Sequence, residues 1–417
     1  MGKHATISEV EEALALSYIF RYNSIKDKPE FKSVSSNKDF EPVSNYHLNT
    51  FRRELSLIHV DTSSDNIAKV LESSFTEKVN PIQRYFKDLE EYNPKTEPSY
   101  IEELCNTVDI GLDYGVKNNF KEYFTKWLVG VVANALDDNF CRNHVCLVLT
   151  GDQGAFKTTW LNNLCPPKLK AQYLFSGKIN PENKDTQLYL AECFLINIDD
   201  QLRQLNKRDY NDLKELITKD KVTIRKPYGR YIEEKPHIAS FMASVNGNDF
   251  LTDPTGSRRF LPFEVKAIDI DKAQELNMDN VYREANHLLK QKFEYWFTKE
   301  EIEKQHEYNQ KFSVISTEEE HLTTYFAVKP SASGMGYGKL TFLKNADLQK
   351  LIMQYTNYRC SSKLLGEALK KCGFERKQKR IGDKKVWGYY LYERDFSNNM
   401  LDIEDNQPEP LMSEIEN

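Results

Sequence analysis

The chain has 417 residues, 40% hydrophobic, 12% aromatic and 29% charged, a globular composition at a length that divides into two or three domains. Its formal net charge is −6, which excludes a global basic field, so contact with nucleic acid has to come from local basic patches. Seven irregularly spaced cysteines speak against a disulfide framework, and neither the apolar stretch Trp127 to Leu136 nor the opening MGKHATISEVEE reads as a membrane span or signal core, so a cytoplasmic protein with no membrane partner is expected.

From Ser8 to Asn118 the segments EVEEALALSYIF, NTFRRELSLI and DNIAKVLESSF have helical periodicity between polar breaks, which predicts a mostly helical accessory region over residues 1–117. It holds no paired acidic motif of a primase or nuclease. Phe120 to Leu136 has apolar residues at helical spacing and leads into the strand-like run Val145 to Thr150, so it reads as a core helix packed on a sheet in a domain spanning 118–325. Cys141, His144 and Cys146 have the residue types of a metal cluster, but Cys146 falls inside that strand and reads as core.

Lys266 to Val314 is amphipathic and helical. Lys329 to Lys339 (KPSASGMGYGK) reads as a flexible joint, since no strand precedes its glycines. A small unit follows within 326–396: helices at Ala346 to Tyr355 and Ser361 to Lys371, then strands Phe374 to Arg380 and Val386 to Glu393 joined at Gly382 and Asp383, a winged-helix-like pattern. Residues 397–417 are acidic and polar, the composition of a disordered tail.

The segment VCLVLTGDQGAFKTT (Val145 to Thr159) has the order of a phosphate-binding P-loop: buried strand, glycine-rich turn, lysine, hydroxyl, helix. Gly151, Gln153, Gly154, Ala155, Phe156, Lys157, Thr158 and Thr159 are the candidate ATP-binding residues, with Lys157 for the phosphates and Thr158 for Mg2+. The usual spelling has glycine where Phe156 stands. Either Gly154 takes the strained conformation or binding is impaired.

Downstream, CFLINIDD (Cys193 to Asp200) reads as a buried strand delivering a metal-side Asp199 and a water-polarising Asp200, although two aspartates after a strand also cap helices. FMASVN ends in Asn246, a candidate to orient attacking water or a plain turn residue. DPTGSRRF presents Arg258 and Arg259, either a solvated patch or an arginine finger acting on a neighbouring subunit. Between these strands, LKELITKDKVTIRKPYGRY concentrates Lys219, Lys221, Arg225, Lys226 and Arg230 with Tyr228, a mixture suited to single-stranded DNA or to a charged surface hairpin.

The succession GDQGAFKTTW, NIDD, LKELITKDKVTIRKPYGRY and ASVNGNDFLTDPTGSRRF resembles the virulence-associated E family of phages and mobile elements, related to superfamily 3 replicative helicases, over about Phe120 to Val314. The resemblance implies an α/β P-loop NTPase core of RecA-like or AAA+-like fold, working as a homo-oligomeric ring that moves single-stranded DNA. It implies Mg-ATP held by Lys157, Thr158 and Asp199, Asp200 as base, Asn246 as sensor and Arg258 or Arg259 as finger. Asp200 stands where glutamate is commoner. Many relatives carry a primase domain upstream, so a separate primase is expected here.

Two readings follow. One is a DNA-translocating ATPase serving replication of a phage or mobile element, its tail unit meeting duplex origin DNA through Lys370, Lys371, Arg376, Lys377, Lys379 and Arg380, or docking a protein instead. The other is a nucleotide-switched ring-forming regulator or defence protein without unwinding activity.

Overall fold

The computed structural model describes residues 5–110, 114–224, 232–252, 254–329 and 337–394. The chain divides into two compact units, 1–313 and 314–417. The mixed α/β character expected from the sequence is present, built on a parallel sheet.

The first unit opens with α1 (Ile7–Ser17), β1 (Tyr18–Asn23), β2 (Lys28–Ser33), β3 (Glu41–Pro42), α2 (Asn45–Leu57), α3 (Ser64–Leu71), β4 (Glu77–Val79), α4 (Pro81–Asp88), α5 (Tyr100–Cys105) and β5 (Val108–Asp109). The expectation of a mostly helical region is corrected here. The three periodic segments do form α1, α2 and α3, each started by a Ser or Thr cap, but they pack on a four-stranded sheet ordered β3-β2-β1-β4. The helix expected to run through Tyr18 and Phe20 stops at Ser17, where tertiary pairing of β1 with β2 over Tyr18 to Asn23 overrides the local pattern. Phe31, Phe51, Ile67 and Leu71 form the small core of this layer.

The centre of the unit runs α6 (Tyr114–Leu136), β6 (Cys146–Gly151), α7 (Lys157–Asn163), α8 (Pro167–Tyr173), β7 (Leu174–Gly177), α9 (Lys184–Glu192), β8 (Leu195–Asp199), α10 (Lys207–Thr218), β9 (Lys221–Ile224), β10 (Glu233–Pro236), β11 (Ser240–Asn246), β12 (Phe260–Glu264), β13 (Ala267–Ile268), α11 (Ile270–Glu275), α12 (Met278–Lys290) and α13 (Lys299–Asn309). Five strands form a parallel sheet ordered β12-β6-β11-β8-β7. A sheet buried on both faces needs apolar residues at successive positions, and β6 is buried throughout. Its alternate side chains divide between two cores. Leu147 and Leu149 face a layer containing Phe124, Trp160 and Tyr282; Cys146 and Val148 face one containing Leu190, Tyr210 and Leu213.

The helix expected from Phe120 onward is α6, tied to the sheet by Trp127 Nε1 donating to the Phe241 carbonyl at 3.2 Å and Asn134 Nδ2 to that of Ala239 at 2.9 Å. Residues 1–117 do not stand apart from this core. β5 pairs with β13, and Ile82, Tyr85 and Phe86 of α4 lie in the larger core cluster. Where β1 turns into β2, Asn23 donates to Tyr173 at 2.7 Å, Lys26 pairs with Glu192 at 3.1 Å, and Asp27 pairs with Lys235.

The second unit contains α14 (Thr317–Tyr325), β14 (Phe326–Ala327), β15 (Tyr337–Leu343), α15 (Asn345–Thr356), α16 (Ser362–Lys371), β16 (Arg376–Ile381) and β17 (Lys384–Arg394). It begins at Val314 and not at residue 326, because Leu322 of α14 packs with Leu348, Leu365 and Leu391. The expected helix pair and hairpin are α15, α16, β16 and β17, and β17 also pairs with β15 and β14. Most of the expected joint (330–336) and the acidic tail (397–417) lie outside the described residues. No helix among the described residues is long and apolar enough to cross a membrane.

Candidate functional site

In an open α/β sheet the carboxyl ends of adjacent strands converge where the strand order reverses. Here register sets what meets: Gly151 stands opposite Asn246, and Ser244 opposite Asp199. The loop from Gly151 to Phe156 leaves this edge and enters α7 at Lys157.

Gly151 has φ 130°, and a Cβ there would come within 2.4 Å of the Val265 carbonyl oxygen. No side chain fits. Gly154 also has positive φ, at 87°, but Phe156 is itself left-handed at φ 56° and ψ 18°, a region costly for a bulky residue. The conformation expected at Gly154 is present, and the turn puts Phe156 in the left-handed region as well. Phe156 is 54% exposed.

Lys157 is buried, and its Nζ donates to the Gly151 carbonyl at 3.0 Å, to that of Asp152 at 2.5 Å and to Asn246 Oδ1 at 3.2 Å. Burial lowers its pKa, opposed by the nearby Asp200, Asp152 and Asp199. Thr158 Oγ1 donates to Asp199 Oδ1 at 2.8 Å, and Ser244 Oγ donates to the same oxygen at 2.6 Å. Asp200 sits at φ 46°, its N–H given to the Ser244 carbonyl and its Oδ1 accepting the Asn246 N–H at 3.2 Å. One constellation therefore holds Lys157, Thr158, Asp199, Asp200 and Asn246. Gln153, Gly154 and Thr159 are exposed and Ala155 half-buried along the same loop and first turn.

Two members were not anticipated. Ser244 is buried in mid-strand and reads in sequence as a small core residue. Arg203 donates through Nη1 to the Asn246 carbonyl at 2.7 Å and pairs with Asp249 at 3.0 Å, bracing the turn after β11; nothing in its polar neighbourhood singles it out.

The other expected residues lie at the opposite edge. Arg258 and Arg259 precede β12, whose Phe260 pairs with Cys146 at the start of β6, roughly 17 Å along the strand from Gly151. They line a cavity of about 300 Å³ with Trp127, His144, Thr218 and Trp296. Arg258 is exposed. Arg259 is half-buried with its Nε unpartnered, and burial together with Arg258 lowers its pKa. Their backbone is fixed from α13: Gln305 Nε2 donates to the Phe260 carbonyl at 2.6 Å, and Asn309 Nδ2 to those of Ser257 and Phe260 at 2.9 and 3.0 Å.

The basic insertion forms the antiparallel pair β9 and β10. Lys221 is exposed on β9, and Lys219 is half-buried, its carbonyl facing His237 Nδ1 at 2.7 Å. Arg225, Lys226, Tyr228 and Arg230 lie outside the described residues. Among the described residues no group of three or more His, Cys, Asp or Glu is placed to hold a metal ion, and Cys141 instead donates its thiol to the carbonyls of Asn143 and Ile217.

No curated protein matches the chain. Among solved structures it is similar to the apo C-terminal region of NrS-1, at 12% identity and a TM-score of 0.49, covering 92% of this chain and 99% of that one. A second form of that region matches at 14% identity and a TM-score of 0.47, covering 93% and 99%. The sequence from 101 to 314 matches the Virulence-associated protein E-like domain. This span is just over half of the chain and contains the loop, both strand-end aspartates, Asn246, the hairpin and the two arginines, so the chain belongs to the virulence-associated protein E-like family.

Proposed function

We propose that the protein is an ATP-dependent DNA-translocating ATPase, a replicative helicase of a phage or mobile genetic element that works as a homo-oligomeric ring. The observation that carries this reading is the meeting of Lys157, Thr158, Asp199, Asp200 and Asn246 at neighbouring strand ends.

The donor set suits the implied cofactor. Thr158 and Asp199 offer a hydroxyl and a carboxylate, the hard oxygen ligands that Mg2+ takes, and ATP supplies the phosphoryl group to be transferred. In this reading Lys157 binds phosphate oxygens, which compete with the loop carbonyls for its ammonium. Asp200 takes the proton of the attacking water, and Asn246 orients that water while linked to Lys157. Arg258 and Arg259, a strand's length away, act on a neighbouring subunit's nucleotide. The β9–β10 hairpin lies at their edge of the sheet, so Lys219, Lys221, Arg225, Lys226, Tyr228 and Arg230 grip single-stranded DNA beside a subunit boundary. The order of elements in the second unit supports a winged-helix fold that engages duplex origin DNA.

A second reading, a nucleotide-switched ring-forming regulator or defence protein without unwinding, is favoured by one observation, the left-handed Phe156. Hydrolysis of ATP with and without single-stranded DNA separates the two. Stimulation by DNA that is lost in both Lys157→Ala and a Lys219/Lys221/Arg225 charge-removed variant supports the motor. A parent that binds ATP but never responds to DNA supports the switch.

A further inference from the structure

The second unit carries a cleft of about 420 Å³ between α16 and the β16–β17 hairpin. We propose that this cleft binds the single-stranded end of a DNA duplex, with one unpaired base stacked on Trp387. The inference deepens the DNA-binding role proposed for this unit and is independent of ATP turnover.

Charge selects a polyanion. Lys363 and Lys370 line the cleft from α16, seven residues apart and so two turns along one face. Arg376 lines it from the sheet, and β16 is exposed along its whole length while carrying Arg376, Lys377, Lys379 and Arg380. The cleft lining sets one acid, Glu367, against Lys363, Lys370 and Arg376, while on β16 Lys377 pairs with Glu375 at 3.2 Å and Arg380 lies 3.9 Å from Asp383. Lys371 is not part of it: its ammonium pairs with Glu319 at 2.7 Å.

The aromatic content selects an unpaired base over a closed duplex. Trp387 follows the same alternation as the buried Tyr389 and Leu391 but is 51% exposed. The Arg376 guanidinium stands 5.3 Å from its ring centroid, a cation beside an exposed indole, as single-strand binders use to hold base and phosphate together. A base pair inside a duplex shows only its edges to the grooves, whereas an unpaired nucleotide presents both faces of its base to a ring. Gly366 keeps the helical wall low, since even a Cβ there would meet only Asn345 Nδ2, at 3.8 Å. Asn345, which also lines the cleft, donates that amide to the Ser362 carbonyl at 3.1 Å.

The test uses the full chain with Lys157→Ala and no ATP, so that failure of the motor reading leaves it intact. Binding is measured by anisotropy to a blunt duplex, to the same duplex with a short single-stranded tail, and to a tailed duplex whose terminal nucleotide is abasic. Trp387→Ala is expected to weaken binding to the tailed duplex about tenfold, within the range of a base–aromatic stack, and to leave the blunt duplex unchanged. Trp387→Phe is expected to retain the binding. The abasic end is expected to weaken the parent and to leave Trp387→Ala unaffected. Equal losses on blunt and tailed duplexes, no loss at all, or a preference for an RNA tail would overturn the proposal. If Trp387→Ala disturbs folding, quenching of indole fluorescence by the tailed duplex, present in the parent and absent from Trp387→Phe, decides in its place.

Discussion

Lys157 and Asn246 are joined across the strand ends, the lysine Nζ donating to the amide oxygen at 3.2 Å. The contact links the residue proposed to bind phosphate to the one proposed to orient water. Lys157→Ala is expected to lower ATP hydrolysis by at least about 10²-fold, the scale of losing one electrostatic stabiliser. Asn246→Ala is expected to lower kcat about tenfold or more while KM stays within about threefold. Steady-state kinetics of both variants check this, and an Asn246 effect confined to KM would assign it to binding alone.

Ser244 and Thr158 both donate to Asp199 Oδ1. Removing the buried serine hydroxyl leaves the carboxylate less fixed, at a stability cost of about 1 kcal/mol. Ser244→Ala is expected to raise the Mg2+ concentration for half-maximal hydrolysis several-fold, and Asp199→Asn to abolish the Mg2+ response. Magnesium titrations of the three proteins measure it. An unchanged Ser244→Ala profile would make that hydroxyl a packing group only.

Phe156 occupies a left-handed position with its ring half in solvent. Glycine removes a cost of about 1–2 kcal/mol and adds unfolded-state entropy of about 0.4–1 kcal/mol. Phe156→Gly is therefore expected to raise Tm slightly and to tighten ATP binding. Calorimetry with and without nucleotide tests both, and a lower Tm would show that the ring makes contacts worth more than the backbone strain.

Much of the constellation was legible because strand, loop and strand-end carboxylates occur in a fixed order, and parallel register then brings them together. Ser244 was hidden because a small residue inside FMASVN looks like any core position. Gln305 and Asn309 were hidden because KEEIEKQHEYN reads as a solvated helix, although both amides are buried. The first sheet was missed for a different reason. Lys28–Ser33 is short and polar, and its strand state comes from pairing with Tyr18–Asn23, which local periodicity does not reveal.

Gln305 and Asn309, four residues apart on α13, hold the carbonyls of the segment that presents Arg258 and Arg259. Replacing either removes one of the two side-chain donors to the Phe260 carbonyl, at about 0.5–1.5 kcal/mol. Asn309→Leu is expected to lower Tm and to reduce kcat in assembled rings without changing ATP affinity. Equilibrium nucleotide binding beside turnover distinguishes this from general unfolding, which would lower both.

His237 is fully buried, its Nε2 has no partner, and burial pulls its pKa from 6.5 to about 4. The folded value lies below the unfolded one, so the unfolded chain takes the proton first as pH falls. The resulting stability is complete above about pH 6.5 and lost towards pH 4, at most about 3 kcal/mol. Urea midpoints at pH 7 and pH 5 are expected to differ less in His237→Gln than in the parent. Equal differences would place the acid sensitivity elsewhere.

The span that matches the family starts at residue 101, yet the larger core reaches back to Ile25, Ile82, Tyr85 and Phe86. Phe86 lies edge-on to Phe194 and Tyr282, with ring centroids 6.0 and 5.8 Å away, and Tyr85 donates to Asp279 at 2.7 Å. A fragment cut at that border would open an aromatic face to water. Such a fragment is an aggregation hazard, so loss of activity on trimming to the shared region would report a damaged core and would not show that the first hundred residues take part in chemistry.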